Sequence, residues 1–150
     1  VLQRVGVQPD PQLCTLMKWN NYGIVKINDN GSESWIGGTY KRGGIAATIR
    51  ELGDCYAVSS DTLPPTITPL SPGNWVKQRC IKVRLSDNKS GIASFRGEIN
   101  GKFVLFTHDV KSNVYTYLFD DARLNKGEQL TLVFTAIDGA GNSSEYEKVL

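Results

Sequence analysis

The residues of this chain that could do chemistry are acidic and amide side chains at the ends of predicted strands. Asp87 and Asp138 each end a long alternating run, Asp61 precedes a pair of prolines, and Asn142 follows Asp138 within one turn. Carboxylate and amide oxygens are the ligands that Ca²⁺ prefers, so Asp61, Asp87, Asp138 and Asn142 form a candidate calcium site. The alternative is ordinary turn chemistry, in which Asp and Asn bond nearby backbone amides.

Catalytic groups are scarce. His108 is the single histidine in 150 residues, whereas a catalytic zinc site uses about three protein ligands, usually with His among them. The sequence contains neither a Gly-x-Ser-x-Gly nucleophile motif nor a phosphate-binding glycine loop. We therefore expect a protein that is not an enzyme, with no catalytic residue and no cofactor, apart from calcium at the candidate site above.

A second candidate site consists of apolar side chains at alternating positions. Val104 and Phe106 share one face of a predicted strand, and Tyr115 and Tyr117 share one face of the next. Because both faces of these strands carry apolar residues, one face must be covered or used. These four residues and Trp75 are a candidate ligand or partner surface. The alternative is ordinary packing between sheets or modules.

The elements that position these residues are strands, predicted from period-two alternation interrupted by Gly, Asn and Asp. Beyond residue 65 we predict strands at 66–68, 81–85, 95–99, 102–106, 114–119, 130–138 and 144–149. Asn100-Gly101 is a two-residue hairpin signal. Seven strands in this length are typical of an immunoglobulin-like sandwich. In that topology the second and sixth strands run the same way, which would bring Asp87 and Asp138 to one end, where the joint carrying Asp61 also arrives.

The first 60 residues predict a small β-module, either an incomplete immunoglobulin-like sandwich or one that leans on the second module. Strands are predicted at 23–27, 33–36 and 45–50, and a short helix at 13–19. Leu52-Gly53-x-x-Tyr56 resembles a tyrosine corner. Pro64-Pro65 stiffens the joint at 61–65, because proline fixes φ and lacks an amide proton. The predicted fold is therefore all-β, with two modules in tandem at 1–60 and 66–150.

Composition narrows the function classes. The net charge is only +2, and Lys and Arg are scattered, which argues against nucleic-acid binding. The apolar runs are too short for a membrane span. The chain begins at Val1 without a signal peptide, as expected of a mature secreted chain or of a trimmed piece of a longer one. Cys14 and Cys55 could form a disulfide or stay as thiols, and Cys80 is expected to be partly exposed.

Three turn motifs carry a resemblance to known proteins. They are D-x-x-S-G-I at 87–92, I-N-G-K-F-V at 99–104 and D-x-x-G-N at 138–142, and they resemble bacterial Ig-like domains of the envelope. With G-x-x-Y-A-V-x-x-D-T-x-P-P at 53–65, the pattern is similar to the C-terminal region of lysostaphin-type zinc metallopeptidases of the Gram-negative envelope. That family's catalytic His-x-x-x-Asp and His-x-His motifs do not occur in this chain.

The resemblance implies a non-catalytic accessory module of the cell envelope, periplasmic, cell-surface or secreted. It would position an attached or associated peptidoglycan-hydrolysing peptidase domain or pack against it. One alternative is a glycan- or peptidoglycan-binding module that uses exposed aromatics, and another is an adhesion module that uses a sheet edge. Exposure of the face formed by Val104, Phe106, Tyr115 and Tyr117 distinguishes these functions.

Overall fold

The computed structural model describes residues 3–7, 19–51, 54–119 and 127–150. These residues form antiparallel strands and one short α-helix, which confirms the all-β prediction. The chain divides into two compact units. Unit 1 comprises Val1–Leu63 and Gly139–Asn142, and unit 2 comprises Pro64–Asp138 and Ser143–Leu150. The boundary between residues 63 and 64 falls inside the predicted joint, whereas the assignment of turn 139–142 to unit 1 was not predicted.

Unit 1 contains two three-stranded antiparallel sheets. Its strands are β1 (Gln3–Val7), β2 (Tyr22–Ile27), β3 (Glu33–Gly37), β4 (Thr39–Lys41), β5 (Gly44–Ile49) and β6 (Cys55–Ser60). The sheet orders are β1-β5-β4 and β3-β2-β6. The buried residues Ile24, Ile45 and Ala47 form its core. The described part of the unit therefore has a small core of its own, supplied by Ile24 of β2 and by alternate positions of β5.

Two features predicted from the sequence of unit 1, the turn after β2 and the tyrosine corner, are seen as hydrogen bonds. The turn after β2 closes with Gly31 N donating to the Asn28 carbonyl at 2.8 Å, and Gly31 has φ 79°. The Tyr56 hydroxyl donates to the Glu51 carbonyl at 2.9 Å, which confirms the tyrosine corner. The predicted helix at 13–19 lies outside the described residues except for Trp19, which begins a 3-10 turn, Trp19–Asn21.

Unit 2 is a sandwich of two four-stranded antiparallel sheets. Its strands are β7 (Thr66–Pro69), β8 (Cys80–Ser86), β9 (Ile92–Ile99), β10 (Lys102–Val104), β11 (Thr107–Asp109), β12 (Val114–Leu118), β13 (Thr131–Asp138) and β14 (Ser143–Val149), with helix α1 (Trp75–Gln78) before β8. The sheet orders are β7-β8-β12-β11 and β10-β9-β13-β14. These orders match the A-B-E-D and G-F-C sheets of an immunoglobulin domain with one added edge strand.

The predicted count of seven strands in unit 2 is wrong by one. The run 102–106 is not a single strand, because β10 pairs with β9 whereas β11 pairs with β12 in the other sheet. The chain therefore changes sheets between Val104 and Thr107. Regular alternation of side chains continues through this crossing, so the sequence pattern gives no sign of it.

The core of unit 2 is built from the inward positions of these strands. Ile81, Val83 and Leu85 of β8 face Leu132 and Phe134 of β13 in one buried cluster. Trp75 of α1 joins the cluster, and its indole Nε1 donates to the Leu70 carbonyl at 2.7 Å. Burial of such large apolar side chains is the main term that stabilises a domain of this size.

The cysteines differ in part from expectation. Cys55 is an exposed free thiol, which favours the thiol alternative, and Cys14 lies outside the described residues. Cys80 is buried rather than partly exposed, because it begins β8 where helix α1 packs against that strand. Among the described residues, no helix has the length and apolarity needed to cross a membrane.

Candidate functional site

Two of the predicted metal ligands meet within unit 2. Asp87 follows the last residue of β8, and Asp138 is the last residue of β13. A carboxylate oxygen of Asp87 lies within 4.8 Å of one of Asp138, and Asp138 is only 2% exposed. The prediction that parallel strand directions bring these two aspartates to one end is confirmed.

Asp87 also accepts hydrogen bonds from nearby backbone amides in its turn, as the alternative interpretation predicted. Its Oδ2 accepts hydrogen bonds from the backbone N–H groups of Lys89 at 3.0 Å and Gly91 at 2.7 Å. Its Oδ1 is buried and has no hydrogen-bond partner within the described part of the chain. Since neighbouring carboxylates repel each other when both are ionised, the pair has the chemistry to accept a hard cation.

The other two predicted ligands, Asp61 and Asn142, belong to unit 1. There, two asparagine side chains donate hydrogen bonds to the backbone carbonyl of Asp61. The side-chain amides of Asn142 and Asn21 donate to the Asp61 carbonyl at 3.0 and 3.1 Å. Asn21 also donates to the Asn142 side-chain oxygen. The oxygen that Asn142 was predicted to offer a metal is therefore already an acceptor. Asn21 was missed, because nothing local in the sequence connects it with a residue 121 positions away.

The Asp61 side chain itself shapes the local backbone, since its Oδ1 accepts from the Leu63 N–H at 3.3 Å. Asp61 is 2% exposed. Convergence of all four predicted ligands on one ion stays a prediction. Within unit 2, the structure brings together two of the four predicted ligands, Asp87 and Asp138.

The predicted aromatic surface is wrong, because its members lie in the core of unit 2. The buried set, none more than 4% exposed, is Val104, Phe106, Tyr115, Tyr117 and Trp75. Phe134 packs edge-on against the Phe106 ring, with centroids 4.9 Å apart. The side chains face inward from helix α1, from β10, from the crossing and from β12, as the ordinary packing alternative predicts.

His108 lies on β11, opposite Tyr115 in the strand register. The two rings stack with centroids 4.2 Å apart and planes 4° apart. His108 is exposed, whereas Tyr115 is buried. The imidazole therefore covers one face of a core aromatic ring, and burial raises the pKa of Tyr115.

The exposed aromatic residue that sequence reasoning missed is Phe103, which is 44% exposed on β10. The guanidinium carbon of Arg96 lies 5.2 Å from the centroid of its ring, and Arg96 Nε lies 2.5 Å from Glu98 Oε1. A shallow depression of about 340 Å³ is lined by Ser94, Phe95, Arg96, Phe103, Thr135 and Ile137. We call the three residues Arg96, Phe103 and Ile137 the Phe103 patch.

A signal for this patch was available in the sequence. Phe103 alternates with Val104 and therefore lies on the opposite face of β10. If Val104 is core, Phe103 must point outward. The alternation assigned these residues to opposite faces, but it did not show which of the two faces is buried.

Comparison with known protein families gives one finding. Residues 5–61 match the model of the Zu5-like domain. The match lies within unit 1 and covers less than half of the chain. No curated protein matches the chain. The resemblance to the accessory region of envelope metallopeptidases stays a prediction.

Proposed function

We propose that this chain is a non-catalytic accessory module of the cell envelope, located in the periplasm or at the cell surface. It packs against a lysostaphin-type, peptidoglycan-hydrolysing metallopeptidase domain and holds that domain in position. The observation that supports the proposal is the Phe103 patch. The aromatic side chains expected to form a surface are buried, while Phe103 stands exposed on a regular sheet face.

The chemistry of the patch suits a protein partner. Aromatic and Arg side chains are enriched at the centres of protein interfaces, where they bury large areas at low entropic cost. Arg96 is held by Glu98 and by the Phe103 ring, and a cation over an aromatic face is a stabilising arrangement. Ile137 adds a half-exposed apolar side chain to the same depression. A partner would thus meet a surface that is largely ordered before binding.

The non-catalytic role is supported by the residues available for chemistry. The whole sequence holds one histidine, and that residue is stacked against Tyr115. A His-based zinc centre of the lysostaphin type would have to come from another polypeptide segment. The role of this chain would then be mechanical, since paired sheets hold a bound domain at a fixed distance and angle.

The experiment is a binding titration with the purified catalytic domain of a lysostaphin-type peptidase from the source organism. We expect the intact chain to bind it and Phe103→Ala to bind about 30-fold more weakly, as for an interface hot spot. Leu105→Ala is the matched control, because Leu105 is 71% exposed but does not line the depression. Failure of the wild-type chain to bind, or equal losses in both variants, would refute the proposal.

Peptidoglycan binding is the second function to test on the same surface. The five residues predicted to bind a glycan are buried. Within the described part of unit 2, Phe103 is the aromatic residue whose ring is exposed and could stack on a sugar. Co-sedimentation with purified peptidoglycan separates the two functions. One possible result is that the wild-type chain binds peptidoglycan and not the catalytic domain, and that Phe103→Ala loses that binding. This result would show that the patch recognises a glycan rather than a peptidase domain.

A further inference from the structure

Each outer sheet face of unit 2 carries a pair of like charges on one strand, and the two pairs are opposite in sign. Lys82 and Arg84 lie on the exposed side of β8, and Glu145 and Glu147 lie on the exposed side of β14 in the other sheet. Within the described residues none of these four side chains makes an ion pair. Each strand therefore presents two like charges that form no ion pair with the described residues of the unit.

The two charge pairs also match in spacing. Each pair occupies alternate positions of one strand, so its side chains are separated by about 7 Å in either sheet. An exposed apolar residue accompanies each pair. Leu118, 57% exposed, lies on β12 next to β8, and Val149, 50% exposed, follows Glu147 on the same face of β14. Thus each strip has two like charges with an exposed apolar residue beside them, and the two strips differ in the sign of the charge.

We propose that a second copy of this chain docks on these faces, with the Lys82/Arg84 strip of one copy against the Glu145/Glu147 strip of the next. Two different surfaces meet in such a contact, so each copy keeps one strip free and the assembly can continue beyond a dimer. The contact uses β8, β12 and β14. It shares no residue with the Phe103 patch, although Arg96 of that patch lies on the same outer face as Glu145, two strands away.

The expected association is weak and strongly salt-dependent. Exposed ion pairs stabilise little individually, and salt screens them over a Debye length of about 10 Å at 0.1 M. Sedimentation velocity of the full chain tests this at increasing concentration. At low ionic strength the weight-average sedimentation coefficient should rise with protein concentration, and about 0.5 M NaCl should abolish the rise. A chain that stays monomeric at every concentration in low salt would overturn the proposal.

Charge reversal provides the sharper test. The variant K82E/R84E has two acidic strips, and E145K/E147K has two basic strips, so each alone should remain monomeric. An equimolar mixture of the two should associate, because each strip then meets its complement. If that mixture stays monomeric although both variants retain the wild-type melting temperature, the proposal is wrong.

The control variant is K77E/K111E. It changes the net charge by the same amount as K82E/R84E, but Lys77 lies in α1 and Lys111 lies after β11, so neither residue belongs to a strip. It should associate as the wild-type chain does. Loss of association in this control would show that net charge governs the effect, and the strip-to-strip contact would be abandoned.

Discussion

The ring of Phe106 lies directly against the backbone of Gly97, so that a β-carbon added at Gly97 would overlap the ring. Phe106 stands where the chain crosses between β10 and β11, and Gly97 lies in the middle of β9. Glycine, which weakens a strand interior, is needed here because another side chain must approach the strand closely.

Replacement of Gly97 by Ala should therefore destabilise the protein by about 1–3 kcal/mol, the usual cost of overpacking a core. Urea unfolding monitored by tryptophan fluorescence measures the change. Gly73→Ala is the control, because a β-carbon there would meet no atom within 4 Å. Equal stabilities of the two variants would show that Phe106 moves aside freely.

Phe103 and Phe106 should differ sharply in their contribution to stability. Phe106 is 4% exposed and Phe103 is 44% exposed. We expect Phe106→Ala to cost about 3–5 kcal/mol, the typical value for a buried aromatic, and Phe103→Ala to change stability by about 0.5 kcal/mol or less. Thermal unfolding of both variants measures this difference. A large loss on removing Phe103 would mean that the patch is structural.

The same pair of residues shows how far the sequence predicts this structure. Alternation placed Val104 and Phe106 on one face and Phe103 on the other, and that division is correct. The buried face could not be chosen, since both faces are apolar and the change of sheet after Val104 leaves no local signal. The Asn100-Gly101 hairpin was predictable, because both residues adopt the positive φ that such turns require.

The predicted metal ligands show how far the sequence predicts the candidate site. Strand direction alone brought Asp87 and Asp138 together, because the topology fixes the end at which each strand finishes. The role of Asn142 could not be predicted in this way, because its partner Asn21 is distant in sequence. Side-chain hydrogen bonds between remote segments depend on packing that periodicity does not describe.

An ion pair in unit 1 gives a pH prediction. The Lys26 ammonium lies 2.9 Å from Asp54 Oδ2, and its hydrogen bond lowers the pKa of Asp54 below the ordinary value of 3.8. A carboxylate with a lowered folded-state pKa contributes stability above the unfolded-state pKa, and this stability is lost as the pH falls through the folded-state value. The contribution should therefore be present at pH 6 and decline below about pH 4.

Urea midpoints measured from pH 6 to pH 2.5 test this contribution. Asp54→Asn should lower the midpoint at pH 6 and reduce its dependence on acid pH. Asp29→Asn, in the turn after β2, is the matched control and should keep the wild-type dependence. An unchanged acid profile in Asp54→Asn would contradict the assigned contact.

Calcium binding stays a prediction that a direct measurement can decide. If Asp87 and Asp138 supply oxygen ligands, millimolar calcium should raise the melting temperature of the wild-type chain, because a ligand that binds only the folded state stabilises it. Asp138→Asn should remove that response. Asp109→Asn changes an exposed aspartate on β11 and should retain it. No shift at millimolar calcium in the wild-type chain would exclude the metal.

The proposed function depends on a peptidase domain packing on the Phe103 patch. The most direct test is an NMR titration of the isotope-labelled chain with the purified lysostaphin-type catalytic domain. We predict amide shift changes centred on Arg96, Phe103 and Ile137, with β7 and β11 of the other sheet unaffected. Shift changes centred elsewhere, or no change at saturating partner, would contradict the account.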